Sequence, residues 1–274
     1  MMANSNTDVS GEIPENPFPF PRRPRRFPSP PLPESNGEEF IATVHIPSEK
    51  ESLTGDLVIP DEPRGLVIFA HGSGSSRHSS RNKSVAQVLQ NHGIATLLID
   101  LLTPGEEKVD AATAQLRFNI PLLAGRLGDT TRWLRDQEHA KGLPVGYFGA
   151  STGGAAALVA AASQGSAIQA VVSRGGRPDL AGEALERVTS PTLLIVGGLD
   201  HTVEGLNRVA LGKLRCAKEL VIIPGATHLF EEPGKLEKVA EHAATWFADH
   251  FTHPGPASSP EGLHTALGEK GVRP

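Results

Sequence analysis

Chemistry is concentrated first at Gly149-Ala150-Ser151-Thr152-Gly153, which follows the apolar run Pro144 to Gly149 and precedes an alanine-rich stretch. A G-x-S-x-G sequence between a strand and a helix can form a sharp turn that exposes the serine Oγ at the C-terminal edge of a sheet. Small residues at Gly149 and Gly153 let strand and helix approach closely, and the helix N-terminus beneath the turn favours developing negative charge. The turn therefore suits nucleophilic attack on an acyl carbon. A dinucleotide-type glycine loop fits less well, because no G-x-G-x-x-G follows the first parallel strand.

A serine hydroxyl needs a base to take its proton and a third group to fix the base's tautomer. Two other apolar runs end in suitable residues. Thr192 to Gly198 leads into Leu199-Asp200-His201, and Glu219 to Pro224 leads into Gly225-Ala226-Thr227-His228. Asp200 and His228 are the expected acid and base. His201 adjoins the acid and has nothing to direct it toward Ser151, and Asp179, beyond the run ending at Arg174, stays open as an alternative acid. Two backbone N–H groups must also meet the oxyanion. Thr152 supplies one, and Ser73, in His71-Gly72-Ser73-Gly74 after the run Gly65 to Ala70, supplies the other. His71 is read as bracing that loop through hydrogen bonds.

These residues need a scaffold that brings several strand ends to one rim. Short apolar runs alternate with helix-length segments: Gly55 to Pro60, Gly65 to Ala70, Ile94 to Leu101, Pro144 to Gly149, Ile168 to Arg174, Thr192 to Gly198 and Glu219 to Pro224. Several are continuous in Val, Ile and Leu, as strands covered on both faces require. The pattern predicts an α/β fold with a mostly parallel central sheet and helices on both faces. Phe40 to Ile46 is expected as an added antiparallel edge strand. Helices are expected over Ser84 to Asn91, Asp129 to His139 and Gly153 to Ala162. A further helix carries the apolar stripe of Leu236, Val239, Ala240, Ala243, Trp246 and Phe247.

The domain is expected over 37–252. Residues 1–36, rich in Pro, Ser, Asn and Arg, read as a disordered tail or a Pro-Arg docking peptide, and 253–274 as a flexible tail. A net charge of -5 offers no attraction to nucleic acid or an acidic membrane. No apolar run reaches spanning length and no apolar leader follows the Pro-Arg segment, so a cytoplasmic, non-membrane protein is expected. The lone Cys216 is placed in a helical stretch from Leu211 to Lys218 as a small buried residue. His250 and His253 lack an acidic third ligand, so no metal and no other cofactor is expected.

Together, His71-Gly72-Ser73-Gly74, Gly149-Ala150-Ser151-Thr152-Gly153, Gly197-Gly198-Leu199-Asp200 and Gly225-Ala226-Thr227-His228 resemble the α/β-hydrolase superfamily. The closer resemblance is to its dienelactone-hydrolase-like members and small serine esterases, over about Glu39 to Phe251. The resemblance implies a serine hydrolase acting on a small-molecule ester or related acyl bond through an acyl-enzyme. Ser151 attacks, His228 shuttles the proton and Asp200 orients His228. Dienelactone hydrolases proper carry a cysteine where this chain has Ser151, which favours general esterase-like activity. Thioesterase, acyltransferase and peptidase chemistry share the constellation, and a non-catalytic binding module of the same fold is the other reading. The short connection from Arg174 to Thr192 leaves no room for a large cap domain, so an open, shallow site is expected. Arg77, His78 and Arg174, close to strand ends, are candidates for binding a substrate carboxylate or phosphate.

Overall fold

A computed structural model describes residues 39–49 and 51–252, so the expected tails lie outside the described residues. Eight strands form one sheet: β1 (Phe40–Ser48), β2 (Glu51–Ile59), β3 (Leu66–Ala70), β4 (Ala95–Ile99), β5 (Val145–Ala150), β6 (Ala170–Arg174), β7 (Thr192–Gly197) and β8 (Lys218–Ile223). Their order is β1-β2-β4-β3-β5-β6-β7-β8. β1 and β2 form an antiparallel hairpin that joins β4 antiparallel, and β4, β3, β5, β6, β7 and β8 run parallel. Along β1 and β2 buried residues alternate with exposed or half-buried ones over most of their length, whereas all of β3, β4, β5, β6 and β7 is buried. That difference is why the central strands read as unbroken aliphatic runs.

Six α-helices accompany the sheet among the described residues: α1 (Ser80–Asn91), α2 (Pro104–Thr113), α3 (Ile120–Arg135), α4 (Thr152–Gln164), α5 (His201–Lys213) and α6 (Lys235–His250). Two cores result from the alternation along the strands. Leu66, Ile68 and Tyr147 pack with Leu127 of α3 and Leu158 of α4. Val67, Phe69, Phe148 and Val172 pack on the other face with Leu89 of α1 and Val239 and Phe247 of α6.

The helix expected over Asp129 to His139 is longer and starts earlier. Asn119 caps α3 by accepting the Leu122 N–H at 3.2 Å, and Pro121 sits in its first turn, where a missing N–H costs nothing. Helix α2 has no counterpart in the periodicity reading, since Lys108, Asp110 and their neighbours give it little apolar stripe. Its signal is the capping box Thr103-Pro104-Gly105-Glu106, in which Thr103 Oγ1 accepts from the Glu106 N–H and the Glu106 carboxylate accepts from the Thr103 N–H. Cys216 falls outside the helix assigned to it. α5 ends at Lys213, and the half-buried thiol lies in the turn before β8, 3.7 Å from Thr192 Oγ1.

Backbone meets backbone closely where α4 crosses β5 and β3. A Cβ on Gly153 would stand 2.2 Å from the Ala70 carbonyl oxygen, and one on Gly149 would stand 2.4 Å from the Gly153 carbonyl oxygen. Both obstacles are backbone and cannot swing away. Gly153→Ala is therefore expected to destabilise the fold by about 3 kcal/mol or more, the upper end of overpacking costs. Urea denaturation checks this, and near-wild-type stability would show that α4 can shift off the sheet.

Candidate active site

Ser151 sits between the end of β5 and the first residue of α4 with φ 51° and ψ −119°, a left-handed backbone that side chains rarely adopt. Three hydrogen bonds hold it there. Its N–H donates to the Arg174 carbonyl at 3.2 Å, and its own carbonyl accepts from the Gly154 N–H at 3.0 Å and the Arg177 N–H at 3.1 Å. Strain of this kind persists only where the surroundings over-determine the turn.

The loop after β3 lies against this serine, since a Cβ on Gly72 would be 3.2 Å from Ser151 Cβ. Among the described residues, nothing accepts a hydrogen bond from the Ser73 or Thr152 amide. Thr152 is the first residue of α4, so its N–H is one of the helix's free donors. His71 braces the loop as expected: one ring nitrogen lies 2.9 Å from the Gly72 carbonyl, and Nε2 accepts from the Leu101 N–H at 3.1 Å. Those partners fix the tautomer with the proton on Nδ1. Burial holds His71 below its usual value of 6.5.

On the far side, His228 Nδ1 lies 2.6 Å from Asp200 Oδ2. With the carboxylate on Nδ1, the neutral ring carries its acceptor lone pair on Nε2. The two loops are fastened by their backbones. The Leu199 N–H donates to the Ala226 carbonyl at 2.9 Å, and Gly197 leaves no space for a side chain beneath it, a Cβ there falling 2.4 Å from the same oxygen. Gly175, at φ 52°, faces the His228 ring, whose Cε1 and Nδ1 are each 3.4 Å from the Cβ position of residue 175. Ser151 and His228 thus flank one stretch of backbone, Arg174–Gly175.

The other candidate groups stand apart from the Asp200–His228 contact. Asp179 accepts two hydrogen bonds from Arg177, at 2.8 and 2.7 Å, and that pairing holds its carboxyl below the usual range. His201 is exposed as the first residue of α5. Arg77 is engaged by Asp100, whose Oδ1 also takes the Arg77 backbone N–H at 2.8 Å, and lies 3.4 Å from Asp56. It ties the loop after β3 to β4 and β2. Arg174 is 6% exposed and points to the α1 and α6 face, alongside Ala170 and Val172. His78 is exposed at the rim of a cavity of about 500 Å³.

That cavity opens beside Ser73 and Thr152 and is bounded on its far side by Leu102, Glu107, Asp110 and Arg117. Its wall is α2 and the 3₁₀ turn Leu116–Phe118, not a cap after β6, where a 3₁₀ segment Pro178–Arg187 lies instead. Two ion pairs fix the wall. Arg126 of α3 reaches Glu106 at 2.7 Å, and Arg117 reaches Asp110 at 2.6 Å. The site is therefore more enclosed on this side than the short connection after β6 suggested. Glu107 is raised above its usual range by partial burial and by Asp100 and Asp110.

Among the described residues, no three His, Cys, Asp or Glu side chains come together as a metal-binding group, and no helix is long and apolar enough to cross a membrane.

Residues 61–176 match the family model described as serine aminopeptidase, S33. A crystal structure of dienelactone hydrolase from Anabaena variabilis shares 56% identity and a TM-score of 0.77, covering 78% of this chain and all of that one. Est1E from Butyrivibrio proteoclasticus shares 17% identity with a TM-score of 0.64, over 76% of this chain and 98% of its own, a likeness of fold alone. A Mycobacterium tuberculosis protein that carries the name of a phosphoribosyl transferase is 58% identical over 214 residues, 78% of this chain and 47% of that protein. The chain spans about half the length of the curated relatives it matches.

Two outcomes follow from the geometry. Arg77→Ala should cost about 1–3 kcal/mol in denaturant unfolding by leaving Asp100 buried without its partner, while the ratio of turnover on anionic and neutral esters stays at the wild-type value. A changed ratio would return Arg77 to the substrate. For His71 the folded value lies below the unfolded one, so the unfolded chain takes the proton first. Its contribution is complete above about pH 6.5 and is lost as pH falls below that. The stability gap between wild type and His71→Gln should therefore narrow on acidification, and a gap independent of pH would contradict the assignment.

Proposed function

Because the chain belongs to the α/β-hydrolases, among their dienelactone-hydrolase-like members, we propose that it is a serine hydrolase that cleaves a carboxylic ester or related acyl bond through an acyl-enzyme on Ser151. The observation that carries this reading is the 2.6 Å contact of His228 Nδ1 with Asp200, on the rim where Ser151 is held at φ 51°. Ser151 Oγ attacks the acyl carbon as its proton passes to His228 Nε2. Asp200 stabilises the imidazolium and keeps the ring in register. Negative charge on the carbonyl oxygen is met by the Ser73 and Thr152 amides, with the α4 N-terminus behind them. Collapse expels the alcohol, which takes the proton from His228. Water, deprotonated by the same His228, then attacks the acyl-enzyme and returns free Ser151 and the acid.

Substrate enters beside Ser73 and Thr152, and a cavity of about 500 Å³ suits a small-molecule acyl or alcohol group. Phosphoribosyl transfer, the name carried by the tuberculosis relatives, concerns a chain about twice as long, and the loops carrying Ser151, Asp200 and His228 on one rim support acyl transfer. The test is a panel of p-nitrophenyl esters of increasing acyl length, with thioesters and aminoacyl substrates alongside. Ser151→Ala should lower kcat by roughly 10⁴-fold or more and abolish labelling by a fluorophosphonate probe. Thioester preference would move the assignment to a thioesterase. A folded wild-type protein that neither turns over nor takes the probe would be a binding module.

A further inference from the structure

Arg174 is the least compensated charge near the site. Its side chain is 6% exposed, and among the described residues Nε and Nη1 have no hydrogen-bond partner and no carboxylate pairs with it. What it does touch is the face of Phe230, its guanidinium carbon 5.9 Å from the ring centroid. The charge that acts on it is of the same sign. Arg81, in the first turn of α1, has a side chain 32% exposed and a buried Nε without an acceptor, and its only ion pair among the described residues is with Glu231 at 3.0 Å, a carboxylate whose side chain is 61% exposed. That first turn contains no acidic residue, so the positive end of the helix adds to the same region. Burial and repulsion from Arg81 pull Arg174 down to about 10, which still leaves it charged at neutral pH.

A buried guanidinium with two unsatisfied nitrogens, repelled by a second, half-buried arginine whose Nε is also unsatisfied, is unfavourable by itself and becomes favourable around an anion. Neither arginine lines the cavity beside Ser73 and Thr152, so a substrate held there does not supply the charge. We propose that Arg174 and Arg81 bind a small free anion, a halide or formate-sized carboxylate, between the C-terminal end of β6 and the first turn of α1. The site lies behind the loop that carries His228. Phe230, at φ 58° and 1% exposed, is the element shared by the anion site and that loop.

The test uses the full chain and needs no turnover, so it stands apart from the assignment of Ser151. Melting temperature is compared in sodium chloride and in sodium gluconate of equal ionic strength, gluconate being too large to enter. Wild type should melt higher in chloride in a saturable way, Arg174→Met should lose that increment, and Arg81→Gln should raise the half-saturating chloride concentration about tenfold. Crystals grown in bromide should show an anomalous peak within hydrogen-bond distance of Arg174. Equal melting in the two salts, a chloride increment retained in Arg174→Met, or no bromide peak at Arg174 each overturns the proposal. Should Arg174→Met not fold, Arg81→Gln and the bromide diffraction decide it. If wild type ignores chloride but Arg174→Met shifts the turnover ratio of anionic to neutral esters, the anion belongs to the substrate and the free-ion site is overturned.

Discussion

The close passage of α4 over β5 and β3 constrains the rest of this molecule. Gly153 meets the Ala70 carbonyl oxygen and Gly149 meets Gly153, so the chain between strand and helix must turn within one residue. That residue is Ser151, and a left-handed backbone is the consequence. The same passage puts Gly72 against Ser151 Cβ, so Ser151 and the neighbouring amides are set by one packing event. The hydrogen bond that the Ser151 N–H donates to the Arg174 carbonyl, and those that its own carbonyl accepts from the Arg177 and Gly154 amides, then keep the turn from relaxing.

The second half of the site depends on strands that stop at one rim. β6, β7 and β8 run parallel to β5, so Gly175, Asp200 and His228 all follow C-terminal strand ends. Fixing His228 does not rest on its bond to Asp200 alone. Its loop is tied to β7 through Leu199 and Ala226, and the Thr227 N–H donates to the Glu232 carboxylate at 3.1 Å. A ring supported in this way is held in one orientation by several independent contacts.

Charge placement separates structural cations from those that could meet a ligand. Arg77, Arg117, Arg126 and Arg177 each have a carboxylate partner and brace the loops and helices around the rim. Arg174 has none among the described residues, and its burial against Phe230 sets it apart from the solvated cations of the surface. The cavity wall follows the same logic: α2 has little apolar stripe of its own and is held by its capping box and by the Arg126 to Glu106 pair.

By itself the sequence determined the α/β class, the seven apolar strand runs, the edge strand at Phe40 and the loops carrying Ser73, Ser151, Asp200 and His228. These are local properties: burial on both faces writes continuous Val, Ile and Leu, and a close crossing writes glycine at fixed spacing. Helix α2 and the early start of α3 were also written, in the Thr103 to Glu106 box and in Asn119 with Pro121, but as caps and not as periodicity. Only tertiary structure decided what each arginine does. Arg77 and Arg174 both follow strand ends, yet one faces two carboxylates and the other an aromatic ring. Which groups a long side chain meets is settled by neighbours distant in sequence, as Asp56 and Asp100 are from Arg77, and no local pattern encodes them.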